Sequence, residues 1–168
     1  MIAEKSYQAS VTGRKNKAAG EHWENMIEAS CQYYRFEEMA EITKTPEPMH
    51  PIKSLGQGKF VAYYQKMAQP DYKGTLAGGK AIVFEAKHTD AEKMMRSVIS
   101  SEQEKQLDRH EKLGAECFVM VSFGFRRFFK IPWNVFRDMK EHYGRKYVTP
   151  EDIRQYEIKY LNGVLYFL

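Results

Sequence analysis

The first sustained apolar pattern runs from Gly20 to Tyr34. Trp23, Met26, Ile27, Ser30, Cys31 and Tyr34 fall at i, i+3, i+4, i+7 spacing, which predicts a helix with one buried stripe. Glu21, Glu24 and Glu28 lie beside that stripe. Residues 1–19 hold few large apolar side chains and carry Lys5, Arg14, Lys15 and Lys17, so they read as a flexible basic arm. Beyond the helix, Met39–Thr43 predicts a strand. Thr45-Pro-Glu-Pro-Met-His-Pro51 then excludes helix and central strand, because proline lacks an N–H and locks φ. Gly56 and Gly58 follow, and Phe60–Lys66 alternates again. Residues 44–66 are therefore expected as two extended arms with an exposed tip, a length of chain that in compact domains is often functional.

The second half is denser. Pro70-Asp-Tyr-Lys-Gly74 reads as a turn or strand end, and Gly78-Gly79 as a hairpin turn into a strand over 80–87. Residues 90–99 are expected as a short helix through Met94, Met95 and Val98. Ser101-Glu-Gln-Glu104 fits a capping box and Gly114 a helix stop, with Gln103, Gln106, Leu107, His110 and Leu113 bracketing one face between them. Cys117–Ser122 and Phe125–Ile131 are expected strands. A helix of about two turns is expected near Val135–His142. Thr149-Pro150-Glu151-Asp152 predicts a further helix start, and Lys159–Leu168 a last strand. No repeat or interdomain linker interrupts this order, so 20–168 is expected as one domain.

Composition narrows the class. With 43% hydrophobic and 29% charged residues among 168, the chain is too apolar to be disordered. No apolar stretch approaches membrane-spanning length and no signal-peptide pattern opens the chain. Cys31 and Cys117 stand apart, outside any metal-binding spacing, which argues for a reducing compartment. A soluble, cytoplasmic protein is expected. The net charge of +4 permits a polyanionic partner without demanding one.

The chemistry gathers at one place. Glu85 and Lys87 are two apart on a strand and share a face. A hairpin connects that strand to Asp71, so the two carboxylates can stand side by side. Two such charges repel unless a cation joins them. Mg²⁺ accepts oxygen ligands and keeps waters, one of which Lys87 could orient or deprotonate. This is equipment for phosphodiester hydrolysis.

Pro70-Asp71 … Glu85-Ala86-Lys87 is the PD-(D/E)xK nuclease pattern. Together with Gln106-Leu-Asp-Arg-His110, Cys117-Phe-Val-Met-Val-Ser122 and Gly144-Arg-Lys146, it resembles the RecU-type Holliday-junction resolvases of Gram-positive bacteria and their phages. The resemblance spans roughly 13–155 and implies an α/β, restriction-endonuclease-like fold: a mixed central sheet flanked by helices, with a projecting β-hairpin stalk over about 44–66. It implies a homodimeric, Mg²⁺-dependent endonuclease, with Mn²⁺ able to substitute, that resolves four-way DNA junctions in recombination and repair and leaves 5′-phosphates. Asp71 and Glu85 would hold the metal, and Lys87 would act on the attacking water. Glu24, with Glu21 as its competitor, would complete the metal site, and Gln106 would stand near it. Arg14, Lys15, Lys17, Lys44, Lys53, Lys59, Lys73 and Thr89 are the expected DNA contacts, with Arg126 or Arg127, Arg145 and Lys146 as further basic candidates. Phe60, Tyr63 and Tyr64 would pack the stalk or stack on bases. The alternatives are a nuclease of the same pattern acting on other DNA structures, and a junction-binding protein that does not cut.

Overall fold

The computed structural model describes residues 2–46, 49–64 and 69–168. Pro48 and Lys66 of the expected stalk, and the side chains of Lys5 and Tyr64, lie outside the described residues.

Helix α1 spans Ile2–Phe36 and leads into strand β1, Ala40–Lys44. Strands β2 (Met49–Gly56) and β3 (Lys59–Tyr64) pair only with each other. Strand β4 (Tyr72–Leu76) turns through Gly78 and Gly79, both at positive φ, into β5, Ala81–Thr89. Then follow the short β6 (Met94–Met95), helix α2 (Ser101–Lys112), β7 (Glu116–Phe123) and β8 (Arg127–Pro132). Helices α3 (Trp133–Arg137) and α4 (Met139–Tyr143), strand β9 (Tyr147–Val148) and the hairpin β10 (Glu157–Leu161) and β11 (Val164–Tyr166) close the chain. The main sheet has seven strands in the order β1-β4-β5-β7-β8-β10-β11. Its β5–β7 pair is parallel, as the α2 crossover requires, and its other pairs are antiparallel.

Alternation along β5 sorts the sheet into two faces. Ile82 and Phe84 join a core with Trp23, Ile27 and Tyr34 of α1. Val83 joins a second core with Leu107 of α2 and Trp133 and Phe136 of α3. Tyr72, Phe84 and Phe118 stack in a row across β4, β5 and β7, with centroids 4.8 and 4.7 Å apart. Gly74 lets β1 and β4 close: a Cβ there would collide with the Glu41 carbonyl oxygen and sit 2.7 Å from Ile42 Cα.

The mixed sheet, the flanking helices and the hairpin are as expected; several local expectations are not. Residues 2–19 are helical and continue α1, a stretch with several good helix formers and no proline. Residues 90–99 form β6 and a single 3₁₀ turn rather than a helix, since β6 is drawn into pairing with β9. The helix expected near 135–142 is broken in two at Asp138. No helix starts at Thr149: Asp152 accepts hydrogen bonds from the Thr149 N–H and hydroxyl, both at 2.8 Å, which closes a turn instead. Pro51 lies within β2, where only two strands meet, and the turn is Gly56-Gln57-Gly58.

Candidate active site

Asp71 stands at the entry to β4, and Glu85 and Lys87 project from the α2 side of β5. Asp71 Oδ2 accepts a hydrogen bond from the Ala86 N–H at 2.9 Å, which fixes it beside the strand. Lys87 Nζ lies 2.8 Å from Glu85 Oε2 and 3.4 Å from Asp71 Oδ2. One ammonium thus serves two carboxylates. The Glu85 side chain is fully buried, and its Oε1 is hydrogen-bonded to none of the described residues. Burial and the Asp71 charge push the Glu85 pKa up, against the pull of Lys87. Burial works to lower the Lys87 pKa, but Asp71 and Glu85 outweigh it and hold the ammonium charged.

Gln103 completes this group from α2, a helix position to which the sequence pattern assigns no role beyond its face. Its Nε2 donates to Glu85 Oε2 at 2.5 Å. Its Oε1 accepts from the Ser100 N–H at 3.0 Å, while Ser100 Oγ accepts from the Gln103 N–H at 3.2 Å. The helix therefore starts one residue earlier than the expected box, and the capping pair orients the amide so that its NH₂ faces the carboxylate. The signal was present as Ser100-x-x-Gln103. Gln106 is half-buried one turn further on, and no hydrogen bond ties it to the pair among the described residues.

Glu24 lies across the sheet, on α1. Its carboxylate accepts from Lys44 Nζ at 2.7 Å, and its backbone carbonyl accepts from the Tyr72 hydroxyl at 3.3 Å. Glu21 is exposed and faces Lys17 at 3.9 Å. Among the described residues no three acidic, histidine or cysteine side chains converge as a ready metal cage. Asp71 and Glu85 nonetheless suit a divalent cation: they are adjacent oxygen donors short of positive charge, and one buried oxygen has no partner.

The expected DNA contacts divide. Lys53 and Lys59 are exposed on the stalk, with Phe60 and Tyr63 also exposed. Lys73 is half-buried and donates to Gln69 at 3.2 Å. Lys15 pairs with Asp90 at 3.3 Å, while Arg14 and Lys17 lie on the exposed face of α1. The Thr89 hydroxyl accepts from the Ala91 N–H at 3.1 Å. Arg126 is exposed on the β7–β8 turn, whereas Arg127 is tied to Glu151 and Glu157. Arg145 is paired with Asp152. His88, at the end of β5, is almost covered: it stacks on Phe125 at 3.9 Å and lies within hydrogen-bond distance of Ser122 and Asp90.

A mixed sheet flanked by helices, with an acid–x–lysine strand facing a second acid across a hairpin, defines a restriction-endonuclease-like α/β protein. The solved structure of Archaeoglobus fulgidus Hjc, described as a Holliday junction resolvase from an archaeal hyperthermophile, has this fold. It aligns with a TM-score of 0.50 at 14% identity over 81% of this chain and 93% of its own. The sequence profile of the family described as RecU, Recombination protein U, matches residues 18–167, and the chain belongs to that family. The Holliday junction resolvases RecU of Streptococcus pneumoniae serotype 19F strain G54 and of strain 70585 are each 29% identical over 172 residues, covering 94% of this chain and 85% of the relative. The resemblance drawn from the motifs is borne out.

Proposed function

We propose that the protein is an endonuclease that resolves four-way DNA junctions by hydrolysing phosphodiesters, with Mg²⁺ or Mn²⁺ as cofactor. The observation that carries this is the Asp71–Glu85 pair, sharing the Lys87 ammonium and leaving one buried oxygen without a partner among the described residues. Asp71 and Glu85 would hold the cation, with Glu24 as the candidate third carboxylate. A bound divalent cation lowers the pKa of a coordinated water and stabilises charge on a phosphoryl oxygen. The Ala86 N–H fixes Asp71, and Gln103 holds the Glu85 carboxylate in one rotamer. Lys87 keeps its proton while both carboxylates face it bare. With that negative charge neutralised, it becomes the group positioned to orient the attacking water or to take its proton. The expected products carry 5′-phosphates.

A four-way junction has approximate two-fold symmetry, and a homodimer would match it with two sites and paired nicks. The stalk, with Lys53, Lys59, Phe60 and Tyr63 all exposed, would enter the open centre of the junction. A DNA substrate of this kind fits a cytoplasmic protein.

The test is cleavage of a synthetic four-way junction in Mg²⁺, in competition with a linear duplex of the same sequence. Preferential nicking of the junction supports the reading, and equal cutting of the duplex points to a nuclease of other specificity. Asp71→Asn abolishes cutting and retains junction binding. A variant that still cuts would show that the metal site lies elsewhere.

A further inference from the structure

Lys44 is the last residue of β1, where the chain leaves the sheet for the stalk. It continues the face that buries Ala40 and Ile42 against α1, so its side chain runs toward that helix. There its ammonium meets the Glu24 carboxylate at 2.7 Å. The pairing partner of Lys44 in the sheet is Tyr72, which holds the Glu24 backbone carbonyl from the other side. The next residue, Thr45, donates its N–H to the Asp71 carbonyl oxygen at 2.8 Å. Two consecutive residues at the foot of the stalk thus bind the two acids that bracket the site, Lys44 through Glu24's side chain and Thr45 through Asp71's backbone.

The ion pair is half-exposed, with side-chain exposures of 44% for Lys44 and 32% for Glu24, so the ammonium is accessible to an incoming anion. A cation held by Asp71 and Glu85 would compete with Lys44 for Glu24. A backbone phosphate arriving at the stalk would compete with Glu24 for Lys44.

We propose that Lys44 is a positioning residue that acts as a latch: it holds Glu24 away from the cation until a phosphate of the junction, bound at the foot of the stalk, takes over its ammonium. Seating of the DNA against the stalk and completion of the cation site are then one exchange of ion-pair partners. The latch rests on the nuclease reading above and adds to it a reason for cation binding to follow substrate binding. Linkage makes the coupling reciprocal: the cation must also strengthen junction binding.

The experiment measures Mn²⁺ affinity of the full chain by calorimetry without DNA. Lys44→Ala tightens Mn²⁺ binding by about two- to fivefold, the scale of a half-exposed ion pair. In a Glu24→Gln background the same substitution gives no gain. A gain that persists in that background would mean that Lys44 acts only by its charge, and no gain in either would mean that it acts on nothing at the site; both overturn the latch. In a second arm, junction affinity of Lys87→Ala and of Lys44→Ala/Lys87→Ala is compared with and without Mn²⁺ on the same DNA, which cancels the cation binding of the DNA itself. The enhancement by Mn²⁺ is smaller without Lys44, and equal enhancement overturns the proposal. Melting curves of each variant establish that it is folded. Asp71→Asn separates the two levels: if it leaves Mn²⁺ affinity unchanged, the cation-site reading fails, whatever Lys44 does.

Discussion

Strand β5 and the β2–β3 ribbon are extended segments of similar length in opposite surroundings. β5 has a strand hydrogen-bonded on each side and a core on each face, and it buries Ile82, Val83, Phe84 and Glu85. The ribbon has two strands and no core, and Met49, Ile52, Leu55, Phe60, Val61 and Tyr63 are all exposed. β5 can hold a buried carboxylate in an unfavourable state because neighbouring strands and the Gln103 amide leave it no alternative. The ribbon can hold nothing in that way. Its side chains contribute little to the fold and remain available to a partner. The proposed chemistry sits where the structure is over-determined, and the proposed recognition where it is not.

The largest test of this contrast is glycine against glycine. Gly74→Ala drives a Cβ into backbone atoms of β1 and should cost at least about 3 kcal/mol, the upper range for overpacking, because backbone cannot rotate away. Gly58→Ala, in the stalk turn at φ +75°, meets open space and should cost about 1 kcal/mol of local strain. Thermal melts would show a large fall in Tm for the first and almost none for the second; equal falls would mean that the ribbon is part of the cooperative unit.

The next effect is pH-dependent. Burial and Asp71 raise the Glu85 pKa to about 8 in the cation-free protein. A folded-state pKa above the unfolded value means that the proton stabilises the fold. That stability is complete below the ordinary glutamate pKa of about 4.3 and is lost as pH rises through about 8. Without divalent cation, the unfolding free energy should therefore fall between about pH 5 and pH 8.5 by an amount on the order of a few kcal/mol, and Tm should fall with it. Glu85→Gln should flatten the profile, and Mg²⁺ should restore Tm at the alkaline end. A Tm that rises with pH would contradict the buried, charge-starved site.

The smallest effects on stability belong to the stalk. Lys53→Ala and Lys59→Ala should leave Tm unchanged within about 0.5 kcal/mol. Each lysine that binds a phosphate should, when replaced, lower the slope of log affinity against log salt by about 0.9 for a junction substrate. An unchanged slope in both would remove these lysines from the DNA interface.

Much of β5 was legible because its signals are local. An apolar run, a Gly-Gly turn and an acid–x–lysine pair at period two identify strand, hairpin and shared face within 20 residues. Gln103 is not singled out because Ser101-x-x-Glu104 fits a capping box as well as Ser100-x-x-Gln103, and only the latter ties the Gln103 amide to the cap and turns its NH₂ to Glu85. The helix over residues 2–19 is not legible in the pattern, because basic, weakly apolar sequence suits both a helix and a loose arm. Arg126 and Arg127 are neighbours in sequence with different fates, one exposed on a turn and one tied to two glutamates from the end of the chain.

By itself the sequence determined the strand carrying Glu85 and Lys87, the hairpin that brings Asp71 beside it, and the two arms of the stalk. Alternation and turn chemistry act over a few residues, and the chain carries them wherever it folds. Tertiary structure alone decided that Gln103 meets Glu85, that Lys44 meets Glu24, and that Glu85 Oε1 is buried with no partner among the described residues. Each of these depends on how α1 and α2 close over the two faces of the sheet. The free energy of burial that closes them is non-directional, and which polar groups it traps together follows only from the packed result.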